Sequence, residues 1–222
     1  MIDNPDDLRQ WRLPRGRHGL PRELVERSQR ERLLAAVVRV TVANGYESTT
    51  VGDILSEAGV GRESFYELFN DKLDCTLAAH NILVEDLEER VRAVYIGDGP
   101  WPERAREALK VTLEWFAADP DVARFLLVEM STVGPAFRSV FQAEYARFTN
   151  LLDEGLDKSG PSPEVSQATR LGVGALLARL YEEIVLDRTE QLPRLLPDLT
   201  HDFLVPFVGE EVAEAERQRA VG

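Results

Sequence analysis

Cysteine is nearly absent from this 222-residue sequence. Cys75 is the only one, which excludes an internal disulfide and any zinc site built from several cysteines. No nucleophile motif surrounds it, so we expect a small, partly buried helix residue. Histidine is also scarce, because His18, His80 and His201 are the only three and lie far apart. No Gly-x-Ser-x-Gly, His-Glu-x-x-His or phosphate-loop pattern occurs, so neither an enzyme nor a cofactor or metal is expected.

Long apolar runs are missing as well. The first residues, MIDNPDDLRQW, are acidic, and Arg179 interrupts the most apolar later stretch, so neither a secretory signal nor a membrane partner is predicted. Hydrophobic residues make up 44% and charged residues 29%, as is ordinary for globular proteins. We therefore expect a cytoplasmic protein.

Proline is absent between Pro21 and Pro100, which permits long helices there. No segment alternates apolar and polar residues with β-branched enrichment. The sequence therefore predicts an all-α fold. Apolar spacing and the stop at Gly45 predict a first helix over 22–44. Later helices are predicted at 61–69, from 71 to about 96, and at about 102–118, 120–130, 135–158, 163–187 and 193–208.

The net charge of −13 argues at first against nucleic acid, because DNA affinity comes largely from Lys and Arg on phosphates. The charge is unevenly distributed, however. Residues 9–62 contain ten Arg or Lys against six Asp or Glu, whereas residues 63–222 contain sixteen against thirty. This asymmetry predicts a basic DNA-facing end on an acidic body.

The segment TTVGDILSEAGVGRESFYELF, residues 49–69, has the pattern of a helix-turn-helix. Thr50 and Asp53 have the spacing of a capping box at the start of its first helix. Gly59 is expected to take the left-handed turn. Apolar positions predict the contact between the helices: Ile54, Leu55, Ala58, Val60, Phe65 and Leu68 or Phe69. The remaining polar face contains Arg62, Glu63, Ser64, Tyr66 and Glu67. Helix, tight turn and helix also occur in bundles that never meet DNA, so the pattern alone leaves both interpretations open.

The longer segment TTVGDILSEAGVGRESFYELFNDKLDC resembles the signature of the TetR family of bacterial regulators, and LPRGRHGLPRELV upstream is similar to an arm found in some members. The strong resemblance covers about 14–79. The sequence departs from the pattern at Gly61, where serine is usual, and at Leu55, where a small residue is frequent. The resemblance implies a helix-turn-helix domain, a larger helical ligand-binding and dimerisation domain, and a ligand-responsive repressor of a palindromic operator.

The resemblance also implies roles for individual residues. Thr49 or Thr50, Tyr66 and Lys72 would contact phosphates, and Arg62, Glu63 and Ser64 would read the groove. Lys72 stands at a helix start, where its charge opposes the helix dipole, so we expect an external anion as its partner. Basic arms of other helix-turn-helix proteins enter the minor groove, so Arg15 and Arg17 are predicted to lie there.

A dimer is expected because one helix-turn-helix reads only a few base pairs. The last two long helices offer the best surface, since small residues permit close approach and apolar residues add area. The predicted contact residues are Leu171, Gly174, Ala175, Ala178, Leu180, Phe203 and Phe207, with Gly172 beside them.

Aromatic residues in the middle helices predict a mainly apolar site for a small-molecule effector, although core packing is the alternative for each of them. The candidates are Trp115, Phe116, Phe125, Phe137, Phe141 and Phe148, with Glu144, Tyr145, Tyr181 and His80 as polar anchors. For His80, a core histidine is the other interpretation.

Four segments are predicted in all: a flexible basic arm at 1–20, the DNA-binding domain at 21–72, the ligand-binding and dimerisation domain at 73–208, and a flexible tail at 209–222. The alternative function is a helical ligand- or partner-binding dimer without DNA-binding activity. Salt dependence of DNA affinity separates the two.

Overall fold

The structure, a computed structural model, describes residues 22–156 and 163–221. The predicted arm at 1–20, with Arg15 and Arg17, lies outside these residues. Within them every regular element is helical, as the sequence predicts. None of these helices combines the length and the apolar character needed to cross a bilayer.

Ten α-helices occur in the described residues. They are α1 (Arg22–Asn44), α2 (Val51–Ala58), α3 (Arg62–Leu68), α4 (Lys72–Tyr95), α5 (Trp101–Ala118), α6 (Pro120–Leu127), α7 (Pro135–Leu156), α8 (Pro163–Val185), α9 (Leu196–Val208) and α10 (Glu210–Arg219). Two 3₁₀ segments, Glu129–Thr132 and Thr189–Leu195, overlap the end of the predicted helix 120–130 and the start of the predicted helix 193–208.

The chain divides into two compact units, Met1–Ile82 and Leu83–Gly222, and the division falls within α4. In the first unit α1 packs against α2 and α3. Fully buried side chains from all three helices form its core, among them Leu33, Ile54 and Phe65. This packing holds the two short helices, which are too short to be stable alone.

In the second unit α7 and α6 pack against α8, while α5 packs against α9. A Cβ atom on Gly172 would lie 2.7 Å from the ring of Phe203, so glycine allows α8 and α9 to approach closely. Tyr95 is fully buried and joins α4 to α7, because its hydroxyl donates to the Leu152 carbonyl at 2.7 Å. The Trp101 indole donates to the same hydroxyl.

The predicted flexible tail at 209–222 is wrong for its larger part, since residues 210–219 form α10. Gly209 has φ 77°, which ends α9 and allows a new helix to begin at once. Ala213 and Glu216 are buried against the rest of the second unit. The Glu-rich composition suggested a solvated end, but acidic residues in the first turn and arginines in the last complement the helix dipole.

Candidate functional site

The start of α2 has the predicted capping box. The Asp53 N–H donates to Thr50 Oγ1 at 3.2 Å, and the Thr50 N–H donates to Asp53 Oδ2 at 2.8 Å. The Thr50 hydroxyl also donates to Asp53 Oδ2, at 2.7 Å, and this bond, followed by the bond from the Thr50 N–H, lowers the pKa of the Asp53 carboxyl. Gly59 has φ 61°, so it makes the left-handed turn that ends α2. The turn therefore follows from the residues that the sequence singled out.

Helix α3 is anchored by its apolar side and exposed on its polar side. Phe65 is fully buried, and Phe69 rather than Leu68 is the buried residue at the end of the helix. Arg62 and Glu63 are exposed, and so is Glu67, while Tyr66 is 51% exposed. An exposed aromatic ring among charged residues on a short rigid helix is suited to contact a polar, charged partner.

Two contacts orient the polar side chains of α3. The Arg62 guanidinium lies over the Tyr66 ring, 5.9 Å from its centre. The Gln29 amide of α1 donates to Ser64 Oγ at 3.4 Å, and Ser64 is half-buried. Sequence reasoning missed Gln29. The available signal was its spacing of four from Leu33, which puts a polar residue on the buried side of α1.

Thr49 is not available to a phosphate, so this alternative for the predicted contact is wrong. Its side chain is 2% exposed, and its hydroxyl donates to the carbonyls of Val40 at 3.2 Å and Gly45 at 2.9 Å. Thr50 is exposed and is the only one of the pair that faces solvent in the described structure.

Lys72 has partners within the chain, contrary to the expectation of an external anion alone. Its ammonium donates to the carbonyls of Tyr46 and Thr49, both at 2.7 Å, and lies 4.1 Å from the centre of the Tyr46 ring. Burial lowers the pKa of this ammonium. Lys72 thereby fixes the loop before α2 to the start of α4. An ammonium has three N–H donors, so one donor remains for another acceptor.

Several other arginines of the first unit form ion pairs on its surface. Arg27 is paired with Glu31 at 3.0 Å, and Arg39 of α1 with Glu57 of α2 at 2.7 Å. Arg22 is paired with Glu26 in the same way. These carboxylates reduce the positive potential that the arginine count alone suggests.

The predicted effector residues of the second unit fall into two groups. Phe116, Phe125 and Phe137 are buried. Trp115 is half-buried, and its indole donates to Asp86 at 2.8 Å. On α7 the rings of Phe137, Phe141 and Tyr145 follow one another at centre distances of 6.1 Å, and Glu144 and Phe148 on the same helix are half-buried.

Three predicted polar or aromatic anchors lie elsewhere than expected. His80 is buried in the first unit, whereas the other candidates belong to the second. Tyr181 is 46% exposed on α8, which does not suit an anchor enclosed within one protomer. The Tyr145 hydroxyl donates to the Arg170 carbonyl, so it joins α7 to α8. Apolar spacing identifies a helix face but not what covers it.

The predicted dimer surface is exposed on α8. Leu171 is 68% exposed, Ala175 and Ala178 are exposed, and Gly174 is half-buried. Leu180 is a correction, because it is fully buried within the protomer and adds nothing to the surface.

Val185 at the end of α8 and Leu186 just after it extend this exposed apolar surface. On α9 Phe203 and Phe207 are half-buried, with the Phe207 ring 5.2 Å from that of Trp101. Both phenylalanines therefore contribute first to packing within the protomer.

No grouping of three or more His, Cys, Asp and Glu side chains suited to a metal ion is found in the part of the chain that the structure describes.

The helix-turn-helix region matches a known family. Residues 33–79 match the model for bacterial regulatory proteins of the tetR family. The chain is also 24% identical over 140 residues to an uncharacterized HTH-type transcriptional regulator in the lacX 3′ region of Lactococcus lactis subsp. lactis, covering 59% of this chain and 69% of that protein.

Solved structures share the fold over most of this chain. FadR from Bacillus subtilis in complex with stearoyl-CoA superposes with a TM-score of 0.72 at 18% identity, over 80% of this chain and 98% of that one. The fatty acid degradation regulator FadR from Bacillus halodurans gives 0.69 at 20% identity, over 79% and 94%. A putative TetR-family regulator from Syntrophomonas wolfei gives 0.68 at 19%, over 82% and 96%. At these identities the likeness shows the fold.

Proposed function

We propose that the chain, whose residues 33–79 match the model for bacterial regulatory proteins of the tetR family, is a DNA-binding transcriptional regulator rather than an enzyme, and that it acts as a ligand-responsive repressor. It binds a palindromic operator as a homodimer and leaves the operator when a small, mainly apolar molecule binds. The exposed polar side of α3, held by the buried Phe65, carries this proposal.

Exposed residues of α3, namely Arg62, Glu63 and Tyr66, have a chemistry suited to duplex DNA. Arg62 forks onto guanine in the major groove, and Glu63 accepts from a cytosine amino group. Ser64 supplies a hydroxyl beside them. Tyr66 and Thr50 contact phosphates, and the remaining N–H of Lys72 donates to a phosphate as well. Phosphate contacts fix the orientation of the protein, and base contacts select the sequence.

Two copies of α3 are needed for a useful affinity, and half-sites one turn apart require a spacing of about 34 to 36 Å. The exposed apolar side of α8, centred on Leu171, Ala175 and Ala178, supports an isologous contact in which each protomer offers the same surface. Small side chains there allow two copies of α8 to approach closely.

The effector is a mainly apolar molecule that binds among α5, α6 and α7. Support comes from the aromatic side chains on these helices, such as Phe116, Phe125 and Phe137. FadR from Bacillus subtilis is complexed with stearoyl-CoA, which makes long-chain acyl thioesters the first class to test. The effector lowers the fraction of DNA-binding protein only if it binds more tightly to the conformation that fits DNA poorly. Helix α4 continues from the first unit into the second, so it is the element through which we expect the effector to act.

Selection from random duplexes with the purified protein tests DNA binding and identifies the operator. A palindromic consensus is expected, with affinity that falls steeply as salt increases, because phosphate contacts release counterions. Enrichment of no sequence, together with salt-independent binding, supports the alternative of a helical dimer without DNA-binding activity.

Titration of the protein–operator complex with stearoyl-CoA, and separately with free stearate and coenzyme A, tests the effector. Release by the thioester but not by coenzyme A is expected for an acyl-recognising site. Retained operator affinity with all three compounds rules out this class and leaves the DNA-binding proposal intact.

A further inference from the structure

The carboxy-terminal helix α10 is held on α9 by charged side chains at both of its ends. His201 Nε2 lies 3.1 Å from Glu210 Oε1 at the start of α10. Near the other end, the Arg217 guanidinium donates to Asp198 Oδ1 at 3.0 and 3.2 Å. Two separate contacts therefore align α10 along α9.

The same helix is also attached to α5. Arg106 donates to Glu216 Oε2 at 3.0 Å, and Glu216 is only 3% exposed. Arg219 contacts Glu216 as well and reaches Glu103 of α5 at 3.3 Å. Apart from Ala213, which is the buried apolar residue of α10, these contacts are made by charged side chains. They join α10 to both α9 and α5.

The His201 ring is placed so that only its charged form satisfies both neighbours. Nδ1 lies 3.2 Å from Asp202 Oδ1, and Nε2 faces Glu210. A neutral imidazole has one N–H, so one of its nitrogens would turn a lone pair towards a carboxylate; an imidazolium donates to both. These hydrogen bonds, first that with Asp202 and then that with Glu210, raise the pKa of His201.

Other charged groups around His201 are mostly acidic. On α9, Asp198 lies one turn before it, and on α10 Glu214 interacts with its charge. Arg217 is the nearby cation, and it is already bound to Asp198 and Glu214. The acidic surroundings therefore favour a proton on His201.

Helix α9, on which α10 is held, is itself placed by aromatic packing. Phe203 lies against Gly172 of α8, and Phe207 lies 5.2 Å from the Trp101 ring at the start of α5. Glu103 and Arg106 follow Trp101 on α5. An ionic bridge between α9 and α5 consequently reinforces the position that α9 takes beside α8.

We propose that α10 is a proton-sensitive strap: the His201 imidazolium joins it to α9, Arg106 joins it to α5, and the docked strap holds α9 in place beside α8, whose exposed side forms the proposed dimer contact. The part that concerns dimerisation rests on the proposed function. The docking of α10 is a property of the protomer and is measured separately.

The pH dependence has a definite sign. The folded-state pKa of His201 is raised above its unfolded value, so the stabilisation is fully present below the unfolded pKa, about 6.5. It is lost as the pH rises through the folded-state pKa. The strap is therefore tightest in mildly acidic solution and loosens in mildly alkaline solution.

Amide hydrogen exchange of the full chain, followed by mass spectrometry at pH 6 and pH 8 and corrected for intrinsic rates, tests the docking. Protection of residues 210–219 is expected to be about two- to fivefold higher at pH 6, the range for exposed ion pairs. In His201→Gln this pH dependence is expected to disappear. Glu211→Gln is the matched control, because it removes a charge from the same turn without touching either partner of His201, and it should keep the dependence.

Equal protection of α10 at both pH values in the wild-type chain, or an unchanged dependence in His201→Gln, overturns the strap. Sedimentation equilibrium then measures dimerisation, which is expected to weaken about two- to fivefold from pH 6 to pH 8 in the wild type only. If the exchange result holds but the dimer constant does not move, the link to α9 is wrong. A chain that is monomeric at both pH values contradicts the proposed dimer. The exchange result alone then shows whether α10 docks in a pH-dependent way.

Discussion

At the scale of single residues, Arg62 and Tyr66 have different tasks on the same exposed face of α3. Arg62→Ala is expected to relax the base preference at one operator position, because a forked guanine contact discriminates by about 1–3 kcal/mol. Tyr66→Phe removes a hydroxyl but keeps the ring, so all sequences should weaken alike by about 1 kcal/mol. Titrating a panel of single-base operator variants checks both. A uniform loss in Arg62→Ala would contradict the groove-reading role.

Thr50 has a second task that is independent of DNA. Thr50→Ala removes the side-chain acceptor at the start of α2 and is expected to lower the free energy of unfolding by about 1 kcal/mol. Urea denaturation measures it. Ser56→Ala is the control, since Ser56 is exposed within the same helix and its replacement should be neutral or slightly stabilising. Equal effects of the two substitutions would argue against the cap.

Residue roles were predicted where the sequence pattern fixes the geometry. The capping box and the Gly59 turn depend on neighbours five or fewer positions apart, so the pattern was sufficient. The partners of Thr49 and Lys72 were not foreseen, because both side chains bond to backbone carbonyls. Those of Lys72 belong to Tyr46 and Thr49, more than twenty positions earlier. A carbonyl is present at every residue and leaves no trace in the sequence.

At the scale of helices, the close contact between α8 and α9 depends on glycine at position 172, which has no side chain. Gly172→Ala places a Cβ 2.7 Å from the Phe203 ring and is expected to destabilise the fold by about 1–3 kcal/mol. Gly174→Ala is a matched control two positions along the same helix. Its Cβ would meet the Tyr145 hydroxyl at 3.6 Å, an ordinary contact, and alanine favours helix.

Chemical denaturation of the two glycine variants, with the wild type alongside, gives the comparison. Loss in Gly172→Ala without loss in Gly174→Ala is the expected pattern. A Gly172→Ala chain as stable as Gly174→Ala would mean that α8 and α9 are not in close contact at this position.

Helix limits were predicted well where glycine or proline interrupts the chain, as at Gly59, Pro100 and Pro120. They were predicted poorly after α9, where Gly209 was taken as the end of ordered structure. Composition alone did not reveal α10, because its stabilising partners lie on other helices. Arg106 is 110 positions from Glu216, a separation over which no periodicity carries information.

At the scale of the whole molecule, the proposed dimer depends on the exposed side of α8. Leu171→Asp puts a carboxylate at the centre of the proposed symmetric contact, where it would face its own copy, and is expected to shift the protein to monomer. Operator affinity should fall with it, because a monomer presents a single α3. Val221→Asp, beyond the end of α10, is the control, an equivalent change at another exposed apolar residue.

Light scattering coupled to gel filtration, over a range of protein concentrations, measures the effect. A Leu171→Asp protein that stays dimeric, and binds its operator like the wild type, would show that another surface forms the dimer. The sequence predicted two domains with a boundary at 72/73, whereas the chain divides at 82/83, within α4. Composition does not change at this point because the helix is continuous, so the sequence does not mark the boundary.

The enclosure of Cys75 makes the chain convenient for spectroscopy. Its thiol is fully buried, and burial raises the pKa of that thiol to about 12, so alkylating reagents should leave it untouched at neutral pH. Since it is the only native cysteine, one engineered at an exposed position such as Glu67 would accept a fluorophore or spin label selectively. The separation between the two labels of a dimer would then report directly on how an effector alters the span between paired reading helices.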